Sequence, residues 1–253
     1  MLSRVVLRLA LDERAGRLRQ TLVGRSWALV LPLLESGAFT LVFTLFVRPR
    51  VTPAAYLLFV YVGVLAWRAF ARGVTAAGAS LVRAAPLLRQ VPVPATAVAT
   101  AAIVGACLDA LIAVPLLGVA VVALYGIPTV GTLVLWLPVA LTFQIAAMLG
   151  LGWLIAAANA FYRDVSLAAG PLLYILMFAA PVVYPSSLVP AWLRPLFLGN
   201  PMAAAIDSYR AALLGGVPLS PDALGLAAVT AGVLLVAGWT VLRRLDPRLR
   251  EVL

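Results

Sequence analysis

Hydrophobic positions along this chain gather into runs of about twenty residues or more, separated by short clusters of arginine, proline and glycine. At about 1.5 Å per helical residue, such a run matches the roughly 30 Å hydrocarbon core of a bilayer. Six runs are legible, at about 27–47, 54–80, 96–124, 132–159, 166–183 and 223–242. From Thr96 to Asn159 the only carboxylate is Asp109, near an isolated Cys107, and YGIPTVG at 125–131 supplies the turn that divides the third run from the fourth. Residues 1–26 read differently. Leu2, Val5, Val6 and Leu9 share one helical face, with Arg4, Arg8 and Asp12 on another, which predicts an amphipathic helix lying on the membrane. Arginines at 4, 8, 14, 17, 19 and 25 interrupt any signal-peptide core there. The period-two alternation of a β-barrel strand is not visible. The predicted fold is therefore an all-α integral membrane protein, with an interface helix over 1–26, six transmembrane helices within a membrane domain over 27–244, and a tail over 245–253.

Composition narrows the chemistry. With 64% hydrophobic residues, 11% charged residues and a mean hydropathy of +1.08 over 253 residues, the chain lies outside the range of soluble domains. A net charge of +10 would point to nucleic acid in a soluble protein, but here the arginines stand at the ends of spans and no nucleic-acid partner is expected. They concentrate in 1–26, in 81–95, at Arg163 and after 242, whereas the alternate loops hold Arg48, Arg50, Arg194 and Arg210. Both termini are thus expected on the cytoplasmic side of a bacterial cytoplasmic membrane. Neither Lys nor His occurs, which excludes a GxxxxGK phosphate loop and removes the commonest general base and metal ligand. No catalytic residue, metal site or cofactor site is expected in the chain. Charges at membrane depth are costly, so Glu35 and Arg68 are expected to pair across the first two spans, the alternative for Arg68 being a lipid pyrophosphate. Asp109 is expected to bond a neighbouring helix.

Three interruptions carry more information than the spans. LVRAAPLLRQVPVPA at 81–95 allows one short amphipathic helix ended by Pro92 and Pro94, either a positively charged anchor or a helix that presents its leucines to a groove on a cytoplasmic partner. In FYRDV at 161–165, Tyr162 suits the interface, Arg163 the cytoplasmic side, and Asp164 the capped N-terminus of the fifth span. GNPMAAAIDSYRAALLGG at 199–216 reads as a helix of about thirteen residues with Asn200 as N-cap, Pro201 at the first helical position and a glycine stop. It is too short to span. With the apolar piece at 188–199, which carries Trp192, it is expected to enter from the outer face and turn back, Asp207 and Arg210 pairing at i, i+3.

These stretches, in this order, resemble the permease subunits of ABC-2 type exporters of O-antigen polysaccharide and teichoic acid. The matching text is QTLVGRSWALVLPLL at 20–34, AAPLLRQVPVPA at 84–95, NAFYRDV at 159–165, APVVYPSSLVP at 180–190 and NPMAAAIDSYRAALLG at 200–215, and the likeness covers nearly the whole chain. The resemblance implies a half-transporter: two copies form a channel for a lipid-linked glycan, and two copies of a separate ABC ATPase subunit bind the ATP and Mg. It implies that Pro86, Leu87, Leu88, Arg89, Gln90 and Val91 form the coupling helix seated on the ATPase. It also implies that two short outer helices, with Trp192, Asn200, Pro201, Asp207, Tyr209 and Arg210, line the exit. Pro92 departs from the family pattern, where an aromatic residue is common. In such exporters aromatic belts line the channel, and the stripes here are Phe39 and Phe43 on span one, Tyr56, Phe59, Trp67 and Phe70 on span two, and Tyr174 and Phe178 on span five; the alternative for each is packing. Two other functions fit the hydropathy, an ABC-2 exporter of a drug or small lipid and a membrane-embedded transferase, although no acid/base or nucleophile cluster favours the second.

Overall fold

The computed structural model describes residues 27–46, 51–215 and 219–252. The interface helix predicted over 1–26 lies outside them. The described residues contain no strand and form α1 Trp27–Phe46, α2 Pro53–Arg83, α3 Ala85–Gln90, α4 Ala95–Ala110, α5 Val114–Tyr125, α6 Val130–Phe161, α7 Asp164–Leu176, α8 Arg194–Leu198, α9 Pro201–Leu214 and α10 Pro221–Val252. Among the described residues five stretches are long and apolar enough to cross a membrane: Leu29–Phe46, Pro53–Arg83, Ala95–Tyr125, Val130–Phe161 and Pro221–Leu249. All five fall on predicted runs. The third consists of α4 and α5 joined by a 3₁₀ turn at Leu111–Ala113, next to Pro115, which cannot donate to the helical ladder.

Two boundaries differ from the sequence expectation. The fifth run, expected over 166–183, is helical only as far as Ala179; Asp164–Ala179 measures about 24 Å, short of a full crossing. Pro181 stops it, because proline drives the preceding Ala180 into extended backbone at φ −121°, ψ 153°. The last run errs the other way. α10 continues to Val252 with Pro247 inside it, so the predicted tail is helical. Hydropathy marks where apolar residues end, whereas Arg, Leu and Glu beyond that point remain good helix formers.

α2 is the central helix and touches α1, α3, α4, α5, α6, α7 and α9. Small residues let its neighbours approach, since lipid offers no hydrophobic drive between helices and close packing must supply the attraction. Gly73 leaves room for the Met148 thioether and Gly78 for the Ile155 side chain. Polar side chains add bonds between helices: Asn159 Nδ2 donates to the Gly78 carbonyl at 2.9 Å, and Gln144 Nε2 to that of Ala66 at 3.4 Å. α1 is tied to α2 by the expected ion pair, Arg68 Nη1 to Glu35 Oε2 at 2.6 Å.

The backbones of α6 and α10 approach closely at Gly150 and Gly238. A methyl at Gly150 would stand 2.5 Å from the Leu234 carbonyl carbon, and one at Gly238 would collide with the Gly150 carbonyl oxygen. Backbone cannot yield as a flexible side chain can, so overpacking here should cost about 1–3 kcal/mol or more. Gly150→Ala is therefore expected to lower the unfolding temperature of the detergent-purified protein. Gly118→Ala, where nothing lies within 4 Å of the added methyl, should leave it unchanged or raise it slightly.

Candidate functional site

α9 begins and ends as its residues predict. The Asn200 side chain accepts the Met202 N–H at 2.9 Å, Pro201 occupies the first turn, and Gly215 terminates the helix in the left-handed region at φ 70°. Arg210 Nη1 reaches Asp207 Oδ1 at 3.3 Å, the i, i+3 pair read from the sequence. That pair is one of several contacts. Arg210 is 4% exposed; its Nη1 donates to the Pro181 carbonyl at 2.6 Å, its Nη2 to that of Val182 at 2.7 Å, and Nε and Nη2 to that of Phe59 at 3.3 and 3.2 Å. The guanidinium carbon lies 3.4 Å from the centroid of the Phe59 ring, a cation–π stack.

The segment held in this way follows α7, where helical bonding has stopped and buried carbonyls need donors from elsewhere. They all find one. The Phe178 carbonyl accepts from Tyr184 Oη at 2.6 Å, Ala179 from Asn200 Nδ2 at 3.1 Å, Ala180 from the Val182 N–H at 2.7 Å, Pro181 and Val182 from Arg210, and Val183 from Tyr56 Oη at 2.5 Å. Gly63 makes the approach possible, since a Cβ there would lie 2.5 Å from the Val182 carbonyl oxygen. Asp207 also accepts from Ser186 Oγ, so α9 holds both ends of the loop. Burial pushes the Asp207 carboxyl above the ordinary carboxylate range, against the opposing pull of Arg210 and Ser186. Of the other residues predicted here, Trp192 is exposed and Tyr209 packs half-buried beside the Leu58 and Tyr61 cluster.

The second predicted site is the turn between α2 and α4. Pro86 starts α3 and Val91 ends it, its N–H bonded to the Leu87 carbonyl. Leu88 corrects the expectation that both leucines are presented to a partner. It is 3% exposed and belongs to the core that includes Leu81, Leu242 and Leu249, because α10 continues far enough to reach α3. The outward face consists of Pro86, Arg89, Gln90, Val91 and Pro92, with Leu87 at its edge. A carboxylate on α10 fastens the turn to it: Asp246 Oδ1 accepts the first N–H of α4, that of Ala95, at 2.9 Å.

At the turn between α6 and α7, Tyr162, Arg163 and Asp164 are all exposed. Asp164 is the first helical residue and makes no capping bond from the cap position. Asn159 Oδ1, reaching from α6, accepts the Ser166 N–H at 3.0 Å instead. The aromatic set divides. Tyr56, Trp67 and Phe70 are buried in the core, and the Tyr56 hydroxyl bonds the loop after α7. Phe43, Tyr56 and Phe59 form a continuous ring series at 6.0 Å spacings. Tyr174 and Phe178, 55% and 46% exposed, face outward with Phe39 at 6.2 Å behind Phe178. Most of the aromatic face along α2 is thus used in packing, and Tyr174 and Phe178 are the most exposed of the eight aromatic residues singled out in the sequence.

These features define a multi-pass helical membrane subunit whose irregular segment is held inside the protein and whose short inter-span helix faces outward. Residues 87–214 match the family described as ABC-2 type transporter, and the chain belongs to that family. It is 29% identical over 236 residues to an O-antigen export system permease protein, RfbA, of Myxococcus xanthus, covering 92% of this chain and 89% of that protein. To two O-antigen export system permease proteins, both RfbA, of Klebsiella pneumoniae it is 23% and 22% identical, each time over 94% of this chain and 90% of the relative.

Arg210→Gln is expected to destabilise the purified protein by about 3 kcal/mol or more, since it leaves several buried carbonyls without a donor. Asp207→Asn should cost less, because Arg210 keeps its three carbonyl acceptors. Thermal unfolding of both variants in one detergent checks the order.

Proposed function

We propose that this chain is the membrane-spanning permease subunit of an ATP-driven exporter that moves a lipid-linked polysaccharide, O-antigen-like or teichoic-acid-like, across the bacterial cytoplasmic membrane. The observation that carries this reading is the alignment over nearly the full length with three O-antigen export permeases. Two copies of the chain form the conduit, and two copies of a separate ABC ATPase supply ATP hydrolysis. α3 is the coupling helix, with Pro86, Arg89, Gln90 and Val91 as its contact face, and its outward orientation supports that role. Asp164–Ala179 and the extended residues after it together make a sixth crossing. α8 and α9 form a re-entrant pair on the outer side, which accords with α9 ending beside the start of α6, where Thr132 Oγ1 donates to the Ala212 carbonyl at 3.4 Å. By the distribution of arginine, α3 and the turn at Arg163 are cytoplasmic. Tyr174 and Phe178, with Phe39, offer ring faces along which a sugar polymer could slide without fixed hydrogen bonds.

The test of coupling separates docking from packing. Gln90→Glu combined with Val91→Ala is expected to reduce recovery of the ATPase subunit with the purified permease by at least about ten-fold, with no change in the permease's own unfolding temperature. Leu88→Ala should instead lower stability by about 2–5 kcal/mol. Unchanged ATPase recovery in the first variant would reject α3 as the coupling helix.

The cargo is tested in the reconstituted complex. Stimulation of ATP hydrolysis by a polyprenyl-linked glycan should fall in Tyr174→Leu and Phe178→Leu, whereas Trp67→Leu should chiefly reduce stability. Stimulation by drugs or short lipids but not by glycan would favour the small-substrate exporter.

A further inference from the structure

α10 is longer than a bilayer core is thick. Its 32 residues measure about 48 Å, against a hydrocarbon layer of roughly 30 Å. Charge marks where that layer ends: Asp222 stands in the first turn, and no charged side chain follows until Arg243, about twenty residues or 30 Å further on. Aromatic packing marks the same level. The Arg243 guanidinium carbon lies 5.5 Å from the centroid of the Trp239 ring, and Trp239 packs at 5.5 Å on Trp153, whose indole N–H donates to Thr100 Oγ1 at 3.1 Å. A fixed tryptophan with an arginine one turn beyond it is the arrangement of a membrane–water interface.

Along the half of α10 that leads to this level runs a shallow apolar groove, lined by Gly232, Val233, Val236, Ala237, Thr240 and Val241. Gly232 keeps it open, since nothing lies within 4 Å of a Cβ added there, and Val233 and Val236 on its edges are 62% and 65% exposed. From Gly232 to Val241 is about 14 Å, close to half the thickness of a roughly 30 Å core. At helical spacing the same face continues into Arg243 and Arg244, three and four residues past Thr240, and then into Arg248; all three are exposed. Among the described residues neither Arg244 nor Arg248 is held in an ion pair. Glu251 stands about 10 Å beyond Arg244 along the helix, and Asp246 turns to the Ala95 amide.

We propose that this face of α10 binds an anionic phospholipid of the surrounding membrane, in the leaflet on the α3 side, with one acyl chain in the groove and the headgroup phosphate on Arg243 and Arg244. The occupant follows from the two halves of the site. An uncharged lipid fills the groove and leaves the basic end unanswered, whereas a small anion or an acidic protein surface meets the arginines and leaves the groove bare. A negatively charged amphiphile satisfies both, because its chain spans one leaflet and its phosphate lies where the guanidinium forks begin. The site is independent of what the subunit exports. It bears on α3, since Asp246 and Leu249 on the same stretch of α10 hold the turn that carries that helix.

The full chain, purified in neutral detergent and stripped of lipid, is titrated with phosphatidylglycerol, and the affinity for the first bound lipid is read by native mass spectrometry. Phosphatidylcholine and glycerol phosphate serve as comparison ligands. Phosphatidylglycerol is expected to bind at least about ten-fold more tightly than phosphatidylcholine. Arg243→Gln combined with Arg244→Gln should remove that preference through the loss of charge-assisted hydrogen bonds, and Arg243→Lys combined with Arg244→Lys should retain part of it. Gly232→Leu fills the groove without a clash at its Cβ, so it should weaken phosphatidylglycerol binding by about ten-fold with both arginines intact and the unfolding temperature of the lipid-free chain unchanged. Equal phosphatidylglycerol affinity in the wild type and the double glutamine variant would overturn the proposal. Glycerol phosphate competing as strongly as phosphatidylglycerol would overturn it too, assigning the arginines to a free anion. If the double glutamine variant binds phosphatidylglycerol normally but loses the ATPase subunit in the recovery assay above, the basic face belongs to an acidic protein surface and the lipid site is rejected. A changed oligomeric state in Gly232→Leu with lipid binding intact would likewise reject it, giving the groove to a second copy of the chain.

Discussion

A chain that leaves the helical ladder inside a buried apolar core must find a donor for every carbonyl it frees, and Arg210 is the answer this protein has evolved around. A guanidinium carries five donors in a rigid fork, and here they meet the carbonyls of Phe59, Pro181 and Val182 together with the Asp207 carboxylate. The arrangement explains several features that look unrelated in the sequence. Gly63 must lack a side chain so that Val182 can reach α2. Phe59 must be aromatic to cover the face of the cation. α9 must be capped firmly at Asn200, because the same side chain also holds the end of the preceding 3₁₀ turn at Ala179.

Local chemistry was legible in the residues, and partnership over distance was not. The five spanning stretches, the cap and stop of α9, and the pairs Glu35 with Arg68 and Asp207 with Arg210 all follow from run length, neighbouring residues or spacing along one helix. The carbonyl acceptors of Arg210 lie 28 to 151 residues away, beyond any periodicity. A signal was available nonetheless: Pro181 and Pro185 bracket a buried apolar piece that cannot be helical, and an arginine in the next apolar helix is a natural donor for it. Leu88 was misread for a different reason. A helix of six residues is too short for its pattern to say which leucine faces in, and the core that covers Leu88 comes from α10, whose extension hydropathy does not register. The aromatic residues of α2 show the same limit, since a stripe of rings looks alike whether a polymer or a neighbouring loop lies against it.

The two ends of the subunit are built on different principles. On the side where α9 ends, an irregular loop is immobilised by side-chain donors, so its shape depends on a few hydrogen bonds of high individual cost. At the α3 end, a short helix is wedged between two long ones and anchored by a single leucine and a capping carboxylate. Between them α2 runs uninterrupted and touches both regions. Glycines along α2 and α6 let neighbouring helices pack closely, and Asn159 and Gln144 add hydrogen bonds between the two, so this middle layer should move as a block while the ends retain their own adjustability.

The Asp246 carboxylate that caps α4 belongs to a residue 151 positions further along the chain than the Ala95 amide it accepts. During synthesis, α3 and the first turn of α4 emerge long before α10 exists. The turn that faces outward therefore cannot reach its finished shape until the last helix has entered the membrane and folded back onto it. Maturation of that surface reports on completion of the whole polypeptide: a subunit terminated before α10 would present an unfastened turn.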